Sequence, residues 1–289
     1  MLSTIRPPQL RDARYFQIAG QAAILAIGIF FREFEITLAQ IGAVLVTCFA
    51  VQWLGSTLNA MRFDWKSPLI TTLSLSLLLR ADGVWPLMLA AMIAIGSKFA
   101  LRLYGKHIFN PANAGIVAML LFSGAAWTTT GQWGTALWFA IFIAVAGSIV
   151  TWRASRLDIP VIFLATYAAL LLGRAIYLGD PLSIPLLRLE NGALILFAFF
   201  MISDPKTTPD GAAGRLVFAA AAAALAYVLQ VHFFIADGLF YALFALTLVR
   251  PLIDRLNPAN RYEWGTPPAP LHASVPSHAA PLPRPAPAE

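Results

Sequence analysis

Apolar runs long enough to enter a bilayer recur ten times along this chain, separated by charges, glycines and prolines. They lie at approximately 16–31, 36–60, 68–79, 85–103, 112–126, 133–151, 159–178, 186–203, 213–231 and 236–253. A spanning helix needs roughly 20 apolar residues, so the third and fifth runs are short for a full crossing. Such a chain cannot cover its apolar side chains in water. Hydrophobic residues make up 59% and charged residues 12%, with mean hydropathy +0.72, whereas soluble domains carry about 25% charged residues. The reading is an all-α polytopic membrane protein whose solvent is the lipid bilayer.

The basic residues set an orientation. With the N-terminus inside, only Arg32, Arg80, Arg174 and Arg188 of the 20 lysines and arginines fall in outer loops. That asymmetry is the positive-inside signal, and it requires an even number of spans with both ends inside. A net charge of +6 therefore reflects topology rather than affinity for nucleic acid, because the cations form no single patch. Residues 1–15 read as a cytoplasmic N-terminal segment and 16–256 as a ten-helix membrane domain, with halves at about 16–126 and 133–253. The first run meets "FREFE" with no small-residue cleavage site, so it reads as a first membrane helix. Residues 264–289, rich in proline and alanine, read as a disordered cytoplasmic tail.

Several chemistries are excluded. Cys48 is the single cysteine and lies in an apolar run, so the chain has no internal disulfide, CxxC pair or iron–sulfur ligand set. Its four histidines, His107, His232, His272 and His278, have no metal-ligand spacing. No G-x-G-x-x-G follows a strand, so the chain carries no dinucleotide-binding fingerprint. No catalytic set and no metal site are expected in this chain alone.

Two interruptions carry the functional signal. In "KHIFNPAN" (106–113), Asn110 and Asn113 flank Pro111 at the entry to the fifth run. Asparagine suits an N-cap and proline the first helical position. This is either a well-capped membrane helix or an anion site at a helix N-terminus, reinforced by Lys106 and His107. In "MISDPKTTPDGAAGR" (201–215), Asp204-Pro205 breaks the eighth run, followed by Lys206, Thr207, Thr208 and Asp210. It is either a polar turn or a functional acid at a membrane helix edge. The outer loop "SGAAWTTTGQWG" (123–134) reads as an interfacial aromatic belt or an aromatic pocket. The runs 67–83 and 191–211 are each third in a five-run half and end in a turn with Asp and Gly. Five is odd, so this pattern matches an inverted-topology repeat. Gln17, Gln21, Gln40, Gln52, Asn59 and the Ser/Thr run 71–76 read as ties between helices.

Taken in order, "GKHIFNPANAG", "FMISDPKTTP" and "VRPLIDRL" (249–256) resemble one family. It comprises the D component of the Rnf electron-transport complex and the B component of the sodium-pumping NADH:quinone oxidoreductase. This chain reads as a short, divergent member. The resemblance implies ten transmembrane helices in two inverted five-helix repeats, N-in and C-in, similar to urea transporters. It implies a multi-pass protein of the bacterial inner membrane that binds flavin (FMN or riboflavin). The protein would carry electrons across the membrane with the other subunits of an ion-translocating complex. Lys106, Asn110, Asn113, Asp204, Thr207 and Thr208 are the expected cofactor-binding residues. The family often carries FMN on a threonine of a Ser/Thr-Gly-Ala-Thr motif. Here the loop reads Ser123-Gly124-Ala125-Ala126, and Ala126 cannot form a phosphoester, so non-covalent flavin is expected. The competing function is a non-redox channel or small-solute transporter on the same fold.

Overall fold

The computed structural model describes residues 12–103, 105–129, 131–134 and 136–264. The apolar runs fold as α1 (Ala13–Phe31), α2 (Leu38–Leu58), α3 (Lys66–Leu78), α4 (Trp85–Ala100), α5 (Pro111–Phe122), α6 (Leu137–Arg153), α7 (Asp158–Leu178), α8 (Ser183–Leu189), α9 (Gly192–Leu196), α10 (Ala212–Val231) and α11 (Gly238–Leu256). The tail expected at 264–289 lies outside the described residues except for Trp264, and the N-terminal segment is described from Asp12 onward.

Local chemistry places the helix starts. Asp12 caps α1 by accepting the Arg14 N–H at 3.0 Å. Thr37 and Gln40 form a reciprocal capping box at α2. The proline-bearing "LGDPLSIPLL" yields the short helix α8, which meets α9 at a bend of 48°. Beyond α9 the helix widens into a π turn at Phe197–Met201, where the Ile202 N–H reaches back to the Phe197 carbonyl at 3.0 Å.

The two short runs stop for a reason not visible in their hydropathy. Helix α3 passes directly into an extended piece, β1 (Leu79–Ala81), and α5 is followed by another, β4 (Ala126–Thr128). The two pair antiparallel, Leu79 opposite Thr128 and Ala81 opposite Ala126. The pairing satisfies the backbone of the two extended pieces, while Arg80 and Gln132 donate to the Ser76 and Leu77 carbonyls at the end of α3, as a membrane protein must do internally. Trp133, expected in an interfacial belt or a pocket, is instead a core side chain packed edge-on against Phe34 and stacked with Phe139.

Helices α1, α2, α7 and α10 are long and apolar enough to cross a bilayer, and α8 with Gly192–Met201 adds a fifth, bent candidate. Helices α4, α5 and α6 are apolar but shorter. Length and composition thus support up to five spans where the sequence runs lead to an expectation of ten. The outer surface is apolar, with Phe30, Trp85 and Phe122 largely exposed; a soluble monomer does not carry an apolar surface of this extent. The chain is a helical, polytopic membrane protein.

Two sets of helices pack in a similar order. Helix α2 packs on α4 and α4 on α5; later, α7 packs on α10 and α10 on α11. Helix α1 rests on α3 as α6 rests on α9, and the two sets meet through α1 with α6 and α5 with α11. Polar contacts sort to two ends. Arg14–Asp64 at 2.8 Å, Lys66–Asp12 at 3.0 Å and Arg215–Asp158 at 2.6 Å lie among the residues expected inside. Arg80 with Gln132 at 2.8 Å, and the Thr128 hydroxyl donating to Asp237, lie among those expected outside.

Small residues permit the tightest approach. A Cβ on Gly115 of α5 would sit 2.5 Å from the Ala90 carbonyl oxygen of α4, a backbone atom with little room to move. Gly96 of α4 has nothing within 4 Å of its Cβ position. Gly115→Val is therefore expected to destabilise the protein by about 1–3 kcal/mol through overpacking, and Gly96→Ala to leave stability unchanged or slightly raised. Thermal midpoints of the purified variants in detergent check this; equal midpoints would contradict the α4–α5 contact.

Candidate functional site

Between α4 and α5 the chain makes a short hairpin, β2 (Arg102–Leu103) with β3 (Lys106–His107), turning at Gly105 with φ 77°. It delivers Asn110 to the start of α5. The Asn110 side-chain oxygen accepts the Asn113 N–H at 3.1 Å, and Pro111 occupies the first helical turn. The Asn110 amide nitrogen remains available and donates to the Asp204 carboxylate at 3.2 Å. The asparagine-proline and aspartate-proline breaks, 94 residues apart, therefore touch directly.

Asp204 organises the turn after the π segment. Its side chain accepts the Lys206 N–H at 3.0 Å. Its carbonyl accepts the backbone N–H groups of Thr207 and Thr208, both at 3.1 Å, and their hydroxyls at 3.3 and 3.0 Å. His107 Nε2 sits 3.9 Å from the same carboxylate. Burial pushes the Asp204 pKa up, but the contact and charge of His107 and the Lys206 N–H outweigh it, holding the pKa below 3.8.

The breaks form one wall of a cavity of about 360 Å³. Gln17, Ser67, Thr71 and Ser74 line its interior part, with Lys98 from α4 and Phe199, Phe200 and Ser203 from the π region. Lys98 donates to Gln52 and Ser67, both at 2.8 Å, and Gln21 joins α1 to α3 by donating to Ser74 at 2.9 Å. The chain after α11 crosses the mouth, placing Arg261, Glu263 and Trp264 on the lining. It is held there by Lys206 donating to the Tyr262 carbonyl at 2.9 Å and by Arg14 lying 5.0 Å over the Trp264 ring.

Of the six residues singled out in the sequence, Lys106, Asn110 and Asp204 line this cavity. Asn113 is fully buried and donates to the Phe240 carbonyl of α11 at 3.2 Å. Thr207 and Thr208 are fully buried with their hydroxyls turned to the Asp204 carbonyl. These three stand behind the wall rather than on it. Lys106 is bonded to Asp210 at 2.7 Å and lies 3.9 Å from Asp254. Lys98 is not among the six, although a lone lysine inside an apolar run is itself a functional-site signal.

The cavity has the chemistry for a flat, anionic ligand. Six cations, Lys98, Arg102 and Lys206 among them, outnumber the carboxylates Asp64, Asp204 and Glu263 on the lining, with Phe199 and Phe200 as an aromatic wall and Asn110 with Ser203 as polar edges. Its volume lies within the usual range of small-molecule sites, roughly 300–1,000 Å³. These features fit a flavin with a phosphate. Across the protein, Ala126 is buried in β4 and offers no hydroxyl, and the neighbouring Thr128 hydroxyl is occupied by Asp237.

The model of the NQR2, RnfD, RnfE family matches residues 125–263. The chain is also similar to several curated bacterial proteins, each named as the D component of an ion-translocating oxidoreductase complex. The Citrobacter koseri protein is 36% identical over 136 residues, covering 46% of this chain and 36% of the relative. That of Escherichia coli O81 is 33% identical over 145 residues, covering 50% and 37%. That of Salmonella paratyphi B is 33% identical over 135 residues, covering 46% and 37%. The matched stretch thus spans little more than a third of these relatives' length. The resemblance read from the motifs is borne out over this stretch, which contains the aspartate-proline turn and the α11 element.

The Asn110–Asp204 contact generates a direct test. In a double-mutant cycle of Asn110→Ala and Asp204→Asn, the coupling energy is expected to be about 1–3 kcal/mol, since the bond has a charged acceptor. Because folding lowers the Asp204 pKa, the stability it contributes is complete above the unfolded value of about 3.9 and is lost as pH falls through the folded value. The thermal-midpoint difference between wild type and Asp204→Asn should therefore shrink on acidification below about 3.9. A difference that widens on acidification contradicts the assignment.

Proposed function

We propose that this chain is a membrane subunit of an ion-translocating electron-transport complex, resident in the bacterial inner membrane, which binds a flavin non-covalently in the cavity beside Asn110 and Asp204. Ten membrane-inserted segments form two inverted five-helix halves, and the matched packing of α2–α4–α5 and α7–α10–α11 supports this arrangement. Other subunits of the complex supply the electron donor and acceptor. The observation that carries the reading is the 3.2 Å contact between the two helix breaks, because it sets the start of α5 against the Asp204 turn at one polar chamber.

A bound flavin supplies reversible one- and two-electron chemistry. The chain's own residues bind and enclose it. Lys98, fixed by Gln52 and Ser67, presents a positive charge from a rigid helix. Phe199 and Phe200 give a flat apolar surface, positioned by the π turn. Asn110 and Asp204 hold the two walls together, and Trp264 with Glu263 shields the mouth from water. Ala126 removes the hydroxyl needed for a covalent phosphoester, consistent with a reversibly held cofactor.

A non-redox channel or small-solute transporter is the second reading. It is favoured by Ala126 and by the polar interior part of the cavity, lined by Gln17, Ser67, Thr71 and Ser74. Purified protein separates the two. The flavin reading expects a flavin absorption spectrum in the native protein and no fluorescent band on a denaturing gel. Asn110→Ala with Asp204→Ala, and separately Lys98→Met, should lower the flavin-to-protein ratio roughly tenfold without loss of expression. A colourless wild-type protein rejects the flavin; a fluorescent denatured band rejects non-covalent binding.

A further inference from the structure

A second cavity, of about 390 Å³, lies at the same end of the protein, on the other side of Lys106. It is bounded by the β2–β3 hairpin, the Asp210 turn and the last two turns of α11. Four cations line it, Lys106, Arg250, Arg255 and Arg261, against two carboxylates, Asp210 and Asp254. The acids are engaged from inside the protein. Asp210 bonds Lys106 at 2.7 Å and accepts the Tyr262 N–H at 3.2 Å. Asp254 accepts Arg250 at 3.2 Å and the Asp210 N–H at 3.0 Å. Cations thus outnumber acids on the lining by two. Arg250 is 2% exposed, and its Nε is buried with no hydrogen-bond partner. A buried guanidinium N–H without an acceptor is costly, and an anion in the cavity supplies one.

The surroundings say what kind of anion. Pro251 and Arg255, one helical turn apart on α11, line the cavity, while Leu252 and Leu256 form the adjacent stripe and are 55% and 79% exposed. Leu103, at the opposite lip, is also partly exposed. The polar cavity therefore opens beside an apolar helix face at the level where the expected inner ends of the helices collect. We propose that it holds the phosphodiester headgroup of an anionic phospholipid, with the acyl chains lying along the Leu252–Leu256 face. Lys106 then joins this site to the first cavity, because one side chain lines both.

The test uses the full chain in detergent, with phosphatidylglycerol, phosphatidylcholine and inorganic phosphate as separate probes. Arg255 and Arg261 are exposed, so Arg255→Gln with Arg261→Gln should fold normally; Arg62→Gln, in an exposed loop at the same end, is the control. Phosphatidylglycerol is expected to raise the thermal midpoint of wild type and to be retained in native mass spectra. The double variant should bind it roughly tenfold or more weakly, while Arg62→Gln binds as wild type. Phosphatidylcholine and inorganic phosphate should have little effect. Unchanged binding by the double variant, equal loss in Arg62→Gln, or an equal response to phosphatidylcholine overturns the proposal. An inorganic phosphate response equal to that of phosphatidylglycerol, and lost in the double variant, assigns the site to a soluble phosphate and overturns the lipid.

Discussion

A backbone that stops being helical inside a bilayer must find partners for its own N–H and C=O groups, since lipid offers none. Most of this structure can be understood from how that demand is met at two levels. At the expected outer level, α3 and α5 end early, and the extended pieces that continue them pair with each other. At the expected inner level, α5 begins at Asn110 and α9 ends through its π turn at Asp204, and side chains do the work that strands do elsewhere. Asn110 satisfies the Asn113 N–H with its oxygen and Asp204 with its nitrogen. Asp204 in turn serves Lys206 with its carboxylate and Thr207 and Thr208 with its carbonyl. The polar residues of the two motifs are thus first a solution to a backbone problem, and the cavity is the space that solution leaves between the helix ends.

This ordering explains what was legible in the sequence. The helices were legible because apolar runs and cap residues are local signals: Thr37 with Gln40, and Asn110 before Pro111, each name a helix start. The contact of the two breaks was legible only as a guess, because no local rule connects residues 94 apart. The strands were not legible. "LRA" and "AWT" are three residues each, and β1 continues an apolar run without punctuation. The difference between lining and supporting residues was not legible either. Thr207 and Thr208 look like ligand hydroxyls in the bare sequence, yet their spacing after Asp204 lets both bond its carbonyl. Trp133 misled in the same way, since tryptophan at a loop is usually interfacial and here it fills the core.

The charged residues follow a second logic. Lys98, Lys106, Arg80 and Arg250 are each largely buried, and each is bonded to a carbonyl, amide, hydroxyl or acid. Breaking such a bond costs more than forming it returns, because the remaining charge stays buried. These residues therefore fix geometry more than they add stability. Lys106 illustrates this: its bond to Asp210 pins the β2–β3 hairpin to the turn before α10, and Asp210 also receives the Tyr262 N–H. The entry to α5, the entry to α10 and the chain leaving α11 are thereby connected through one ion pair.

Lys106, one half of that ion pair, lines both cavities. Tyr262 belongs to the segment that covers the first cavity, while Asp210 and Arg261 belong to the lining of the second. Burial pushes the Tyr262 hydroxyl up to about 12, so it stays protonated in the cell and the segment carries no switching charge at that position. Its position depends instead on Lys206, on Arg14 beneath Trp264, on Arg156 against the Tyr262 ring and on the Asp210 carboxylate. Lys106, Asp210 and Arg261 all line the second cavity. Asp210 holds Lys106 through one carboxylate oxygen and the Tyr262 N–H through the other.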